Sequence, residues 1–164
     1  PSNLEFVIGD ARLSLERELA RGAKQGYDVL ALDAFSSDSI PVHLITREAI
    51  DLYMQHVAPD GILAIHISNR FLDLKPVLAN IARATGLTAV HVSDSPADDV
   101  LASSTDWVLL ARDAAVFGEG VLGQRAQPLE PVAHMSLWTD QFNNLLDVLK
   151  SSPLEEFRRL VGID

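Results

Sequence analysis

Two aspartates stand where a protein of alternating strands and helices would place acid–base chemistry. Asp33 directly follows the apolar run Val29-Leu-Ala-Leu32, and Asp10 follows Leu4–Ile8 and one glycine. An apolar run without alternation is typical of a strand covered on both faces, as in a parallel sheet. Ligands bind beyond the carboxyl ends of such strands, where a carboxylate can accept a proton or bind a cationic amine. Capping of the following helix is the alternative role for either acid.

A third polar strand end favours the acid–base interpretation. Ser68-Asn69 follows the apolar run Ile62–Ile67, so it would lie on the same rim of a parallel sheet as Asp10 and Asp33. Three polar positions on one rim are harder to attribute to capping than any one of them alone. The sequence therefore predicts one functional edge of the sheet.

The elements that must position these residues alternate along the chain. The sequence predicts strands over Leu4–Ile8, Tyr27–Asp33, Ile62–Ile67, Leu87–Val92 and Trp107–Ala111. It predicts helices over Ala11–Arg21, Thr46–His56, Leu74–Thr85, Gln141–Lys150 and Pro153–Leu160, and a turn at Pro59-Asp-Gly61. Such alternation indicates an α/β fold with right-handed βαβ units and a mostly parallel sheet. The last two strands lack a helix-length connection, so we expect them to be antiparallel, with one strand inserted beside its neighbour.

The composition fits one globular domain and excludes several classes of partner. The chain has 164 residues, of which 48% are apolar, and no apolar run approaches the ~20 residues that cross a bilayer. The balance of 13 basic against 23 acidic residues argues against nucleic acid as a partner. A net charge of -10 would attract a cationic small molecule, although it also suits an acidic surface that keeps the protein soluble. The absence of cysteine excludes disulfides and thiolate metal sites and agrees with a reducing, cytoplasmic compartment.

Other motifs carry weaker signals. Gly118-Glu-Gly-Val-Leu-Gly123 matches a nucleotide-binding pattern, but it does not directly follow a strand and leads into a poor helix start. The five histidines show no metal-ligand spacing, so we expect no metal site. Among them, His66 is interpreted as a core histidine rather than a residue that lines a pocket. Ser36-Ser37 lies in a loop without the elbow motif of a serine nucleophile.

Several segments, in order along nearly the whole chain, resemble the polyamine aminopropyltransferases, the spermidine synthase family. The branch fused to membrane-spanning segments is the most similar. The segments are Gly9-Asp-Ala11, Tyr27–Asp33, the Asp33–Pro41 loop, Pro59-Asp-Gly-Ile-Leu63, His66-Ile-Ser-Asn69, Thr105–Leu110 and Leu137-Trp-Thr-Asp140.

The resemblance implies a Rossmann-like fold of the S-adenosylmethionine-dependent methyltransferase type. It implies transfer of an aminopropyl group from decarboxylated S-adenosylmethionine to putrescine or a similar polyamine substrate, without a metal. By position, Asp10, with Ala11 beside it, would meet the adenine amino group. Asp33 would orient and deprotonate the attacking amine. The family's second acid, which grips the diamine, falls at Ser36 by spacing, and Asp38 fills that role only if the loop is rearranged.

The family's glycine-rich donor loop and ribose-binding acid would precede Leu4, and neither is in this sequence. We therefore expect residues 1–164 to form a single α/β domain that is the C-terminal part of a longer protein and is inactive alone. That protein would have a membrane-spanning segment, with this domain in the cytoplasm. The first strands of the family fold would be missing, which leaves strand edges unpaired, and so we predict a homodimer or a rearranged sheet.

Two other functions stay open on the sequence alone. One is a small-molecule S-adenosylmethionine-dependent methyltransferase, because acidic strand ends and the Pro59-Asp-Gly61 turn also occur on that fold. The other is a non-catalytic soluble domain of a membrane protein, which would bind a cation or a partner. The Asp33–Pro41 loop favours the aminopropyltransferase over the methyltransferase.

Overall fold

The computed structural model describes residues 4–33, 41–94 and 104–150, and a five-stranded sheet is its central element. The strands are β1 (Tyr27–Leu32), β2 (Val57–His66), β3 (Thr88–Asp94), β4 (Thr105–Ala111) and β5 (Gln127–Pro128). The helices are α1 (Ala11–Ala20), α2 (Arg47–His56), α3 (Lys75–Thr85) and α4 (Gly120–Arg125). Short 3-10 turns cover Val42–Leu44, Ala114–Phe117 and Leu145–Val148.

The sheet has the strand order β1-β2-β4-β3-β5. β1 pairs with β2 in parallel, whereas β4 runs antiparallel to both of its neighbours, β2 and β3. Three of the five strands, β1, β2 and β3, therefore point in one direction. The mixed α/β architecture of the predicted Rossmann-like fold is confirmed, and the last two predicted strands are antiparallel, with β4 inserted beside β3.

Alternating side chains of the central strands build a core on each face of the sheet. On one face, Leu63, Ile65, Val108 and Leu110 pack against α2 and α3. On the other face, Leu109 packs in a smaller cluster with residues of the 3-10 turn Ala114–Phe117 and of α4. The period of two in the strands thus produces a layered α/β structure.

Local signals set the bounds of the two central helices as predicted. The Thr46 hydroxyl caps α2 by accepting a hydrogen bond from the Ala49 N–H at 3.2 Å. Helix α3 ends at Gly86, which has φ of 70°, the left-handed conformation that glycine adopts without strain. These ends fix the start of α2 beside the carboxyl edge of the sheet and the entry into β3.

The prediction of a strand over Leu4–Ile8 is wrong. These residues form no strand and pair with none, and Leu4, Phe6, Val7 and Ile8 are 59–100% exposed. The apolar composition suits a strand, but β1 hydrogen-bonds only to β2 among the described strands. A strand needs a neighbour to satisfy its backbone groups, and no described strand pairs with this segment.

The expectation that β1 is covered on both faces is also wrong. β1 lies at the edge of the described sheet. Its residue Val29 is 60% exposed, whereas Leu32 is buried. The cluster on the second face is formed around β3 and β4 and does not extend to β1. An unbroken apolar run indicates that both faces of a strand could be buried, but it does not show which elements cover them.

Two further differences concern a turn and the C-terminal region. Pro59-Asp-Gly61 does not form a turn before the strand, because β2 runs continuously from Val57 to His66. These residues lie where the register between β1 and β2 shifts, between the Tyr27–Val57 and Val29–Ile62 pairs. The predicted helix Gln141–Lys150 is instead a set of turns and bridges with one 3-10 turn. Pro153–Leu160 lies outside the described residues. Within the described ranges, no helix has both the length and the apolar character to span a membrane.

Candidate functional site

The parallel register of β1 and β2 brings Asp33 and His66 together at the carboxyl edge of the sheet. Leu32 is the register partner of Ile65, so the residues that follow each of them are neighbours. The Asp33 Oδ1 lies 2.8 Å from His66 Nδ1. The Asp33 side chain is 61% exposed and that of His66 only 19%. The acid therefore faces solvent, with the histidine behind it.

Two more contacts hold the His66 ring. Its Nε2 lies 2.7 Å from the Ser68 Oγ, and the ring stacks on Trp107 of β4 with 4.9 Å between centroids. Ser68 Oγ in turn accepts a hydrogen bond from the Asp106 N–H at 2.8 Å. The imidazole is thus held on both nitrogens and on one face. His66 is the last residue of β2, and its side chain is largely buried, with both nitrogens satisfied as the core interpretation expects.

Asp10 lies at the start of α1 and has different partners. Its Oδ1 accepts the Leu13 N–H at 2.9 Å as the cap of α1, and its Oδ2 lies 2.9 Å from His43 Nε2. The hydrogen bonds from the Leu13 N–H and from His43 hold the pKa of Asp10 below its usual value of 3.8. Asp10 thus has the capping role that the sequence left open, and each of its oxygens keeps a lone pair for one further donor.

An Arg–carboxylate pair next to Asp10 joins three segments. Arg12 of α1 donates from Nη1 and Nη2 to the Asp140 carboxylate at 2.7 and 2.5 Å, and Thr46 donates to Asp140 Oδ1 at 2.6 Å. Arg12 also donates to the His43 carbonyl at 2.7 Å. The hydrogen bond from Arg12 is the main reason that the pKa of Asp140 falls to about 2. The pair ties α1 to the start of α2.

The structure does not join all of the predicted site residues. Asp10 and Asp33 contact different histidines and share no hydrogen-bond partner among the described residues. Ala11 is the exposed first residue of α1. Ser36 and Asp38 lie outside the described residues. The assignment of these five residues to a common site remains a proposal.

A third His–carboxylate contact lies further along the sheet. His91 Nε2 is 2.8 Å from Asp106 Oδ1, and His91 lines a cavity of about 270 Å³ together with Asp73, Lys75, Gln127 and Glu130. Burial alone would raise the pKa of Asp106, but hydrogen bonds from the His91 and Ser93 side chains lower it overall. In the parts of the chain that the structure describes, no group of three or more His, Asp or Glu side chains could hold a metal ion.

The chemistry available at the rim is that of an oriented carboxylate. A carboxylate oxygen accepts hydrogen bonds, so a hydrogen on His66 Nδ1 can be donated to Asp33 Oδ1. Asp33 Oδ2 then remains for a cationic or hydrogen-donating ligand from solvent. Nothing in the spacing of the sequence singled out His43, His66, Arg12 or Asp140. From the sequence, His66 is interpreted as a core histidine, and the segment resemblance includes His66 and Asp140 without a role for either.

The chain shares a stretch of sequence with one well-characterised type of enzyme. Over 69 residues it is 40% identical to the polyamine aminopropyltransferase of Vibrio vulnificus (strain CMCP6), a stretch that makes up 42% of this chain and 21% of the relative. The matched region thus spans about a fifth of that enzyme's length. No family model matches the chain. The relative supports the predicted kinship with the spermidine synthase family.

Proposed function

We propose that the chain carries the amine-activating part of a spermidine synthase-like aminopropyltransferase. The reaction moves an aminopropyl group from decarboxylated S-adenosylmethionine to putrescine or a similar amine. The observation that carries the proposal is the exposed carboxylate of Asp33, held from behind by His66 at the carboxyl edge of the sheet. The 40% identity to a polyamine aminopropyltransferase supports the same reading over the matched stretch.

The chemistry requires a base beside a cationic amine. The attacking nitrogen is an ammonium near neutral pH, so it has no free lone pair until one proton leaves. Asp33 attracts the ammonium and accepts that proton, and the lone pair then forms the N–C bond. The C–S bond breaks with its electron pair going to the sulfonium sulfur, which becomes a neutral thioether. A net charge of -10 favours the approach of both cationic substrates.

We assign the adenine amino group of the donor to Asp10 and Ala11. The Asp10 carboxylate fits this role, because its side chain is 32% exposed and each oxygen retains an acceptor lone pair. Ser36 and Asp38 are the proposed contacts of the distal amine. The donor's ribose would be held by residues outside this chain, so the 164 residues, as one domain and the C-terminal part of a longer enzyme, are expected to be inactive alone.

One assay tests the function against the two alternatives. The protein is incubated with putrescine and either decarboxylated S-adenosylmethionine or S-adenosylmethionine. It is assayed both as the 164-residue chain and within any longer polypeptide that carries it. Aminopropyl transfer supports the proposal, methyl transfer supports the methyltransferase, and binding of the amine without turnover in the longer protein supports a non-catalytic domain.

Asp33→Asn is the decisive variant, with Asp51→Asn as its control. Asp51 is an exposed acid on α2. We expect kcat of Asp33→Asn to fall by about 10²–10⁴-fold, because the base is lost. The control should match the wild type. Equal turnover by Asp33→Asn and the wild type would remove Asp33 from the mechanism.

We also propose that a second copy of the chain covers the edge of β1 that pairs with no described strand. Val29 of this strand is 60% exposed, and the N-terminal segment exposes Phe6 and Ile8 at 82% and 100%. Exposed apolar strand edges favour association. Sedimentation velocity over a concentration series should show a dimer that Phe6→Ser weakens, and a monomer at every concentration would contradict it.

The resemblance to the membrane-fused branch leads to a last proposal about location. We expect a membrane-spanning segment in the longer protein and this domain on its cytoplasmic side. Protease digestion of sealed inside-out and right-side-out vesicles should cleave the domain only in the former. Cleavage in right-side-out vesicles would place it on the other side.

A further inference from the structure

We propose that His66 and Ser68 are positioning residues that orient Asp33 for the incoming amine. The inference rests on the proposed function, since it concerns how the assigned base is held. It is carried by a line of hydrogen bonds that starts at the Asp106 N–H, passes through Ser68 and His66, and ends on Asp33. We call these three hydrogen bonds the donor series.

All hydrogens of the donor series point the same way. The Asp106 N–H can only donate, so Ser68 Oγ accepts it and keeps one hydrogen and one lone pair. We assign that hydrogen to His66 Nε2, which lies 2.7 Å away. In this arrangement Nε2 is the acceptor and the ring hydrogen of His66 lies on Nδ1, which faces Asp33 Oδ1 at 2.8 Å. Hydrogen bonds aligned in this way polarise one another. The backbone of β4 thus sets the tautomer of a histidine on β2.

The consequence for Asp33 is a fixed carboxylate. A side chain that is 61% exposed would otherwise rotate freely in water. The hydrogen bond from His66 occupies Oδ1 and leaves Oδ2 for the ammonium. The stacking of His66 on Trp107, at an interplanar angle of 28°, keeps the imidazole from swinging with the acid. Positioning of a base at hydrogen-bond distance is a recognised source of rate, separate from the affinity for the substrate.

The first test needs no enzyme activity. The ¹⁵N shifts of the histidine rings in the 164-residue chain, recorded above neutral pH, identify the tautomer of each neutral imidazole. We expect His66 in the Nδ1–H form, with assignment by comparison with His66→Gln. The Nε2–H form for His66 would overturn the proposal whether or not the protein turns over substrate.

The second test separates positioning from binding. In the active form of the protein, His66→Ala should lower kcat by about 10²-fold with the amine KM changed by less than about 3-fold. His66→Gln can still donate an amide hydrogen to Asp33 and should recover about 10-fold of that loss. Ser68→Ala should show a smaller fall in kcat of the same kind. A kcat for His66→Ala within about 3-fold of the wild type would overturn the proposal.

His134→Ala is the control, because His134 is exposed and lies outside the donor series. Its kcat should stay within about 2-fold of the wild type. Urea unfolding of His66→Ala separates positioning from folding, and a variant that is largely unfolded under the assay conditions would assign its fall in kcat to lost stability. If the wild type transfers no aminopropyl group, the proposed function fails, and the tautomer of His66 still decides this inference.

Discussion

Arg12 binds Asp140 with both terminal guanidinium nitrogens, at 2.7 and 2.5 Å, across 128 positions of sequence. The Arg12 side chain is only 12% exposed, and Thr46 donates to the same carboxylate. The contact therefore fixes the first turn of α1, which carries Asp10, against the start of α2. Bidentate pairs of this kind are stronger and more specific in geometry than single ion pairs.

The Asp140 carboxylate should make stability depend on acid pH. Its pKa is about 2 in the folded protein against a usual value of 3.8, because of the hydrogen bond from Arg12. A depressed pKa means that the stabilisation is fully present above about 3.8 and is lost as the pH falls through about 2. Asp140 is 39% exposed, so water screens the interaction and we expect about 1 kcal/mol.

Urea unfolding of the wild type and Asp140→Asn, at several pH values between 6 and 2, measures this contribution. The wild type should be the more stable protein at pH 6, and the difference should shrink as the pH approaches about 2. Other carboxylates titrate in both proteins and cancel in the difference. A difference that does not change with pH would contradict the assignment.

A second prediction concerns the shape of the arginine. Arg12→Lys keeps the positive charge but cannot form two parallel hydrogen bonds with Asp140 while also reaching the His43 carbonyl. We expect it to lose about 1 kcal/mol, close to the loss in Asp140→Asn. The double variant should lose little more than either single variant, because both break one contact. Additive losses would show that the two residues act independently.

The central helices α2 and α3 could be predicted because their ends carry local signals. Thr46 caps α2 and Gly86 ends α3, and each needs only a few neighbouring residues to be recognised. The antiparallel pair followed from a connection too short for a helix. The strand over Leu4–Ile8 failed because a strand depends on a partner, and the composition of a segment does not supply one.

Only part of the candidate site could be predicted from the sequence. Asp33 could be found because it ends an apolar run, which is a local pattern. His66 could not, because its contact depends on the register that places Leu32 beside Ile65. The pairing of Arg12 with Asp140 depends on how distant segments meet and has no local pattern at all. Contacts between residues on different strands depend on the strand register, and no local sequence pattern gives that register.

Gly61 offers a test of the irregular register between β1 and β2. A Cβ at this position would lie 2.6 Å from the Tyr27 carbonyl oxygen and 2.9 Å from that of Asp28. Backbone cannot move aside as a flexible side chain can, so Gly61→Ala should cost about 1–3 kcal/mol. Gly118→Ala is the control, because the nearest atom to its Cβ is an ordinary 3.4 Å away. Thermal unfolding that shows equal stability for Gly61→Ala and the wild type would mean that the two strands approach less closely.

The two kinds of aspartate should separate when stability and activity are measured together. Asp33 makes its one described contact at an exposed position, and exposed ion pairs contribute little to folding, so Asp33→Asn should change the free energy of unfolding by less than about 0.5 kcal/mol. Asp140→Asn should cost about twice as much or more, because its carboxylate joins three segments. If removal of a carboxylate abolishes turnover without loss of stability, that carboxylate acts in the chemistry. Removal of a structural carboxylate lowers stability and turnover together. Urea unfolding of Asp33→Asn at pH 7 provides the check, and a loss of stability equal to that of Asp140→Asn would assign Asp33 to the scaffold.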